Sequence, residues 1–195
     1  MCNLVFNDGE TCAILRWDPD ELRQPGDWHC TAMGRSSGLE SRGAEHILGE
    51  EACRALALLN VRDAAVQAAL RNATAEMNEV LAKAEALGHW TGYCCCKRCT
   101  VALWRNLSAG GLDDAERRLA NGMRILKSFR DGTGRWKVFP FHYTLLTLDG
   151  IALPEAADEL RYAAPVCEQY LKRPGRNDAY ASRRRAIAER ILGKH

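Results

Sequence analysis

The chain has 195 residues, 47% of them hydrophobic and 27% charged, which suits one domain with a sizeable core or two small ones. No stretch approaches the run of about 18 apolar residues that a membrane span needs, and the opening MCNLVFNDGE lacks the basic start of a signal peptide, so a cytoplasmic protein with reduced thiols is expected. Net charge is only +2 and gives no general basis for nucleic-acid binding. The bases gather near the end, at Lys172, Arg173, Arg176 and Arg183 to Arg185, where a solvated helix face is expected and contact with phosphates is the alternative.

Residues 1–45 read as an irregular N-terminal segment. It holds a short helix over 10–23 and a loop over 33–44, where Gly and Ser cluster. Residues 46–195 read as a helical domain. EHILGEEACRALALLN has helical spacing, and residues 61–88 are stronger. There Val61, Ala65, Ala68, Ala69, Met77, Val80, Leu81 and Leu87 form a stripe that ends at Gly88. A helix from Cys95 to Leu107 stops at Gly110 and Gly111. Asp113 and Asp114 cap the next, whose acids come first and bases last. Further helices are expected over 141–149, over 154–171 with Pro154 in the first turn, and from a cap at Asp178 to about Leu192. No alternating strand pattern occurs.

The sequence Gly-x-Trp occurs at Gly26 to Trp28, Gly88 to Trp90 and Gly134 to Trp136. After each of the last two comes an irregular stretch, then a helix led by Thr100 or Thr144, then a break and an acid-rich helix start. Parts repeated in that order predict stacked helical hairpins, each covering the apolar face its neighbour cannot cover alone. The Gly allows the turn off a helix. The Trp is a large wedge between hairpins whose indole N–H still needs an acceptor, and the Thr can cap or back-bond the incoming helix.

The stretches from Gln24 to Trp28 and from Gly122 to Trp136 resemble the QW repeats of the prenyltransferase and terpenoid cyclase superfamily. The resemblance implies an all-α fold of stacked helical hairpins, part of an α/α toroid. Arg130 or Lys127 stands where the usual Gln of the repeat would be, and the chain is short for a closed ring, so an oligomer could complete the array.

Nine cysteines are present, and Cys94, Cys95, Cys96 and Cys99 crowd into one short stretch. Cys96 and Cys99 form a C-x2-C, half of a common zinc site. Cys94 or Cys95, His89 and His142 are candidates for the remaining ligands. The open readings are a metal site, buried packing thiols, and redox or iron–sulfur chemistry. Lys97 and Arg98 beside the thiols favour thiolate in either reactive case. In the resembling family a catalytic zinc is held by an Asp and a Cys at one helix start and a His at a later one. Cys99 and His142 are similar to the last two, while Lys97 stands at the Asp position, so Cys96 or Cys95 would have to replace it. Tyr93, Phe141 and Tyr143 are candidates to line a pocket for an apolar ligand; Trp90 and Trp136 are expected to pack between hairpins. Asp18 and Asp20 read as a helix cap before Glu21.

The expected function is a non-catalytic binding module with a Cys/His metal site at Cys95, Cys96, Cys99 and His142. Zinc is the expected metal and an iron–sulfur cluster the less favoured one. An apolar small molecule or a protein is the expected partner. The alternative is a zinc-dependent transferase acting on an isoprenoid-like substrate.

Overall fold

A computed structural model describes residues 39–88, 96–173 and 180–194, with side chains from residue 47 onward. Within them the chain forms seven helices: α1 (Leu39–Leu59), α2 (Ala64–Ala86), α3 (Lys97–Ser108), α4 (Ala115–Ser128), α5 (Phe141–Leu148), α6 (Pro154–Lys172) and α7 (Ala181–Leu192). No strand occurs among the described residues; one isolated bridge pairs Arg130 with Trp136. The all-helical expectation holds, and no described helix is long and apolar enough to cross a membrane. The helix expected over 10–23, the first Gly-x-Trp, Trp90 and the cap at Asp178 lie outside the described residues.

Local signals account for most boundaries. Asp63 caps α2, its Oδ1 accepting from the N–H groups of Ala65 and Val66 at 2.9 and 3.0 Å. Pro154 opens α6, where its missing N–H costs nothing. Three expectations need correction. α1 begins at Leu39 and not near residue 46, because its helix runs through Gly43, a residue that weakens a helix without ending it. Asp114 stands at the cap of α4 but makes no capping bond; its φ of 50° is left-handed, and its carboxylate pairs with Arg117 at 3.0 Å instead. Leu87, assigned to the apolar stripe of α2, is 58% exposed, since it follows the last helical turn; Ala73, Met77 and Leu81 carry the burial.

The helices pair as α1/α2, α3/α4 and α5/α6, with α7 against α5 and α6. The odd-numbered helices also contact one another in order, α1 with α3, α3 with α5, and α5 with α7, while α4 packs on α6. The result is a row of hairpins in which α3 is the central member. Every residue of α3 from Cys99 to Leu107 is buried, the signature of a helix surrounded by protein. Trp104 is fully buried and stacks on Phe139 at 5.7 Å. Gly122 of α4 makes this possible: a Cβ there would sit 2.4 Å from the Trp104 Nε1.

A buried helix must satisfy its own polar groups. Thr100 Oγ1 donates to the Cys96 carbonyl at 2.7 Å, and Thr144 Oγ1 to the Pro140 carbonyl at 3.0 Å. Both Thr residues therefore back-bond in the same way at the starts of corresponding helices. Asn106 donates to Glu50 Oε2 at 2.7 Å, and the Arg105 guanidinium pairs with Glu51. Thus α1 carries two adjacent acids inside an apolar sequence because α3 presents Arg105 and Asn106 to it. Tyr143 of α5 joins this network, its hydroxyl donating to Glu51 Oε1 at 2.7 Å.

The loop between α4 and α5 is built around Asp131, whose Oδ1 accepts from the Thr133 N–H and hydroxyl at 2.8 and 2.7 Å. Gly134 has φ +89°, and a Cβ there would meet Val166 of α6 at 2.7 Å, so both the turn and the close approach require glycine. Trp136 is then driven between the hairpins, against Phe141 and Tyr162.

Candidate functional site

Cys96 ends the preceding segment in an extended conformation and occupies the cap position of α3; Cys99 lies one turn inside the helix. Their sulfurs are 3.0 Å apart. The Cys99 backbone N–H donates to Cys96 Sγ at 3.3 Å, so the outer sulfur takes the place of a capping oxygen. Cys99 is fully buried, whereas Cys96 is partly exposed. The free N–H groups and dipole of a helix start favour negative charge on an atom placed there, and the neighbouring Lys97 and Arg98 act in the same sense.

This arrangement gives the two sulfurs different parts. Cys96 can be reached from solvent and sits at the positive end of a helix. Cys99 is shielded but touches Cys96. Two thiolates on one tetrahedral zinc, each about 2.3 Å from it, stand about 3.8 Å apart; the observed 3.0 Å is closer to direct sulfur–sulfur contact. Residues three apart at a helix start also have the backbone separation that a disulfide accepts.

The other candidate residues lie elsewhere or outside the described region. Cys95 and Tyr93 fall outside it. His142 is on α5, its ring edge-on to Phe141 at 5.3 Å and to Tyr170 at 5.1 Å. Burial, then the guanidinium groups of Arg184 and Arg135, push its pKa below the ordinary histidine value. Among the described residues no three His, Cys, Asp or Glu side chains are grouped as a metal requires. Phe141 and Tyr143, two residues apart on α5, project to different sides. Phe141 lies against Trp136 with the Arg135 guanidinium 4.4 Å above its ring, and Tyr143 faces Glu51 and Arg105. Burial and the Glu51 carboxylate raise the Tyr143 pKa, so its hydroxyl stays a proton donor.

Two buried polar networks went unread in the sequence. Besides Glu50 and Glu51 with Arg105 and Asn106, Glu159 of α6 is buried and accepts from Arg130 Nε at 3.0 Å and from Trp136 Nε1 at 2.8 Å. The adjacent acids in the apolar EHILGEEACRALALL were the available signal for the first. A surface cleft near the starts of α4 and α6 is lined by Asp114, Glu116, Arg117, Leu153 and Glu155; its Arg117 is already held by Glu85 and Asp114.

No protein-family model matches the chain, and no curated protein or solved structure matches it either.

Proposed function

We propose that this chain is a helical-hairpin binding module whose reactive element is a dithiol, Cys96 and Cys99, that exchanges with disulfides. The single observation that carries the reading is the 3.0 Å sulfur–sulfur contact between a partly exposed cap cysteine and a buried cysteine one turn later. In the forward direction the Cys96 thiolate attacks one sulfur of a client disulfide. That bond breaks, one client sulfur leaves as thiolate, and the other remains bonded to Cys96. Cys99, giving its proton to solvent, attacks the Cys96 sulfur and releases the second client thiolate. Two electrons pass from the dithiol to the client, and the Cys96–Cys99 disulfide remains. The row of hairpins supplies the rigid support, and its order of helices is compatible with a segment of an α/α toroid.

A thiolate metal site is the second reading, favoured by two sulfurs on one face of a helix start. The pair supplies half of a tetrahedral set, and the zinc-dependent transferase reading would need further ligands that the described residues do not bring to it.

The test is redox titration of the full chain in dithiothreitol buffers, with peptide mapping and elemental analysis of protein purified without chelators. A reversible loss of two hydrogens, localised to Cys96 and Cys99, in metal-free protein supports the dithiol. Stoichiometric zinc or iron that disappears in Cys96→Ser and protects both thiols from oxidation overturns it in favour of the metal site. Thiols that neither oxidise together nor hold metal overturn both.

A further inference from the structure

Among the described residues, the stretches that hold α3, most of α4 and α5 contain no acid: residues 96–112, 117–130 and 132–148 have neither Asp nor Glu. Several bases in these stretches are consumed by carboxylates from other helices, Arg105 by Glu51, Arg118 by Glu85 and Arg130 by Glu159. Arg98 and Lys137 are arranged differently. The Lys97 Nζ lies 4.8 Å above the Phe129 ring, and the Lys137 N–H donates to the Phe129 carbonyl at 2.8 Å. The two lysines thus gather at the C-terminal end of α4, beside the start of α3. Arg98 and Lys137 are exposed, and neither forms an ion pair with a described residue.

Val138 follows Lys137. It is 75% exposed, and its φ is +58°, a conformation that β-branched residues seldom adopt. The chain is fixed on either side of it. Trp136 is buried against α6, and Phe139 stacks on Trp104 and meets Phe129 edge-on at 5.4 Å. The strained residue therefore holds an isopropyl group in solvent beside Lys137. Strain of this kind persists where the surroundings enforce it and is concentrated at sites of contact.

We propose that this face docks a partner protein through an extended acidic segment that contains an apolar residue and the sulfur on which Cys96 acts. Arg98 and Lys137 receive the acidic side chains, and Val138 receives the apolar one. The proposal rests on the dithiol reading above, to which it adds the chemistry of the client.

The experiment uses two synthetic peptides of equal length, each with one cysteine carried as a mixed disulfide with 2-thiopyridine. In one the cysteine is flanked by Asp, Glu and Leu; in the other by Lys and Leu. Attack by Cys96 on the peptide sulfur releases thiopyridone, read by absorbance, and attack by Cys99 then frees the peptide thiol. Cys96→Ser gives the background from the other cysteines. Neutral 2,2′-dithiodipyridine reports the intrinsic reactivity of the thiol pair. The acidic peptide is expected to react about 10-fold faster at low ionic strength, an advantage that fades with salt. Lys137→Glu is expected to abolish that advantage, and Val138→Gly to slow both peptides while leaving the neutral reagent unchanged. Equal rates for the two peptides, with the neutral reagent consumed normally through Cys96, would overturn the docking proposal alone. Failure of the neutral reagent to react through Cys96 would remove the dithiol reading and the docking proposal with it.

Discussion

The indole N–H of Trp136 donates to Glu159 Oε2 at 2.8 Å, and the same carboxylate receives both Arg130 Nε and a terminal Arg130 nitrogen. One buried side chain of α6 thereby fastens both ends of the loop that leads from α4 into α5. Removing it leaves an indole N–H without its acceptor and a guanidinium, about a quarter exposed, without its carboxylate. Glu159→Ala is expected to destabilise the fold by about 3 kcal/mol. Glu159→Gln, which keeps an acceptor but removes the charge, is expected to cost about half as much. Urea unfolding of the two variants beside the parent measures both. Equal losses would mean that the charge contributes nothing.

Gly122 of α4 lies directly against the Trp104 ring of α3. A methyl group on residue 122 would fall 2.4 Å from Nε1 and 2.7 Å from Cε2 of a ring that has no free space to enter. Helix propensity alone favours Ala over Gly by about 1 kcal/mol. Overpacking opposes this by about 1–3 kcal/mol, so Gly122→Ala is expected to destabilise. The measurement is thermal unfolding together with tryptophan fluorescence. A stabilised variant would show that α4 can move away from α3 without cost.

Much of the row was legible because it rests on local signals. The Gly134 turn, Pro154 and the two Thr back-bonds sit at fixed places in a repeated order. The burial of Trp136 followed from its place as a wedge, although nothing in the sequence named its acceptor, the Glu159 carboxylate. Long-range partners were not legible. Nothing near Arg105 in sequence announces Glu51, and only the family resemblance pairs His142 with Cys99. In the structure His142 lies edge-on to Tyr170. The sequence also could not show that Val138 would adopt a positive φ, since a β-branched residue is among the least expected there.

Val138 offers a test of that strain. Left-handed φ costs an L-residue about 1–2 kcal/mol, while glycine in its place loses about 0.5–1 kcal/mol more backbone entropy on folding. The side chain is mostly exposed, so little packing is lost. Val138→Gly is expected to stabilise the protein by about 0.5–1 kcal/mol, the difference between those effects. Chemical denaturation gives the value. A destabilised variant would mean that the isopropyl group packs against part of the chain in solution.

The cysteines should separate by reactivity. Cys167 is buried, and burial pushes its pKa up to about 11; Cys53 is also buried. At neutral pH, iodoacetamide is expected to modify Cys96 in the native protein and to reach Cys53 and Cys167 only after unfolding. Quenched labelling followed by peptide mapping reads all three. Cys167 modified as fast as Cys96 would show that α6 and α7 open readily.

His142 predicts the shape of the acid limb of stability. Its pKa is held below the ordinary value of 6.5 by burial and by the positive charge of Arg184 and Arg135. Between the lowered folded-state pKa and 6.5, the unfolded chain binds a proton at this site that the folded chain refuses. Stability therefore rises with pH through that window and is lost as pH falls from 6.5 toward the folded pKa. His142→Gln removes the titrating group and keeps a polar side chain of similar reach. Unfolding free energies of parent and variant, measured from pH 7.5 down to pH 5, should fall together except for this one contribution, which the variant lacks. Parallel curves across the whole range would mean that His142 takes its proton as readily in the folded protein as in the unfolded chain, and that the two guanidinium groups do not act on it.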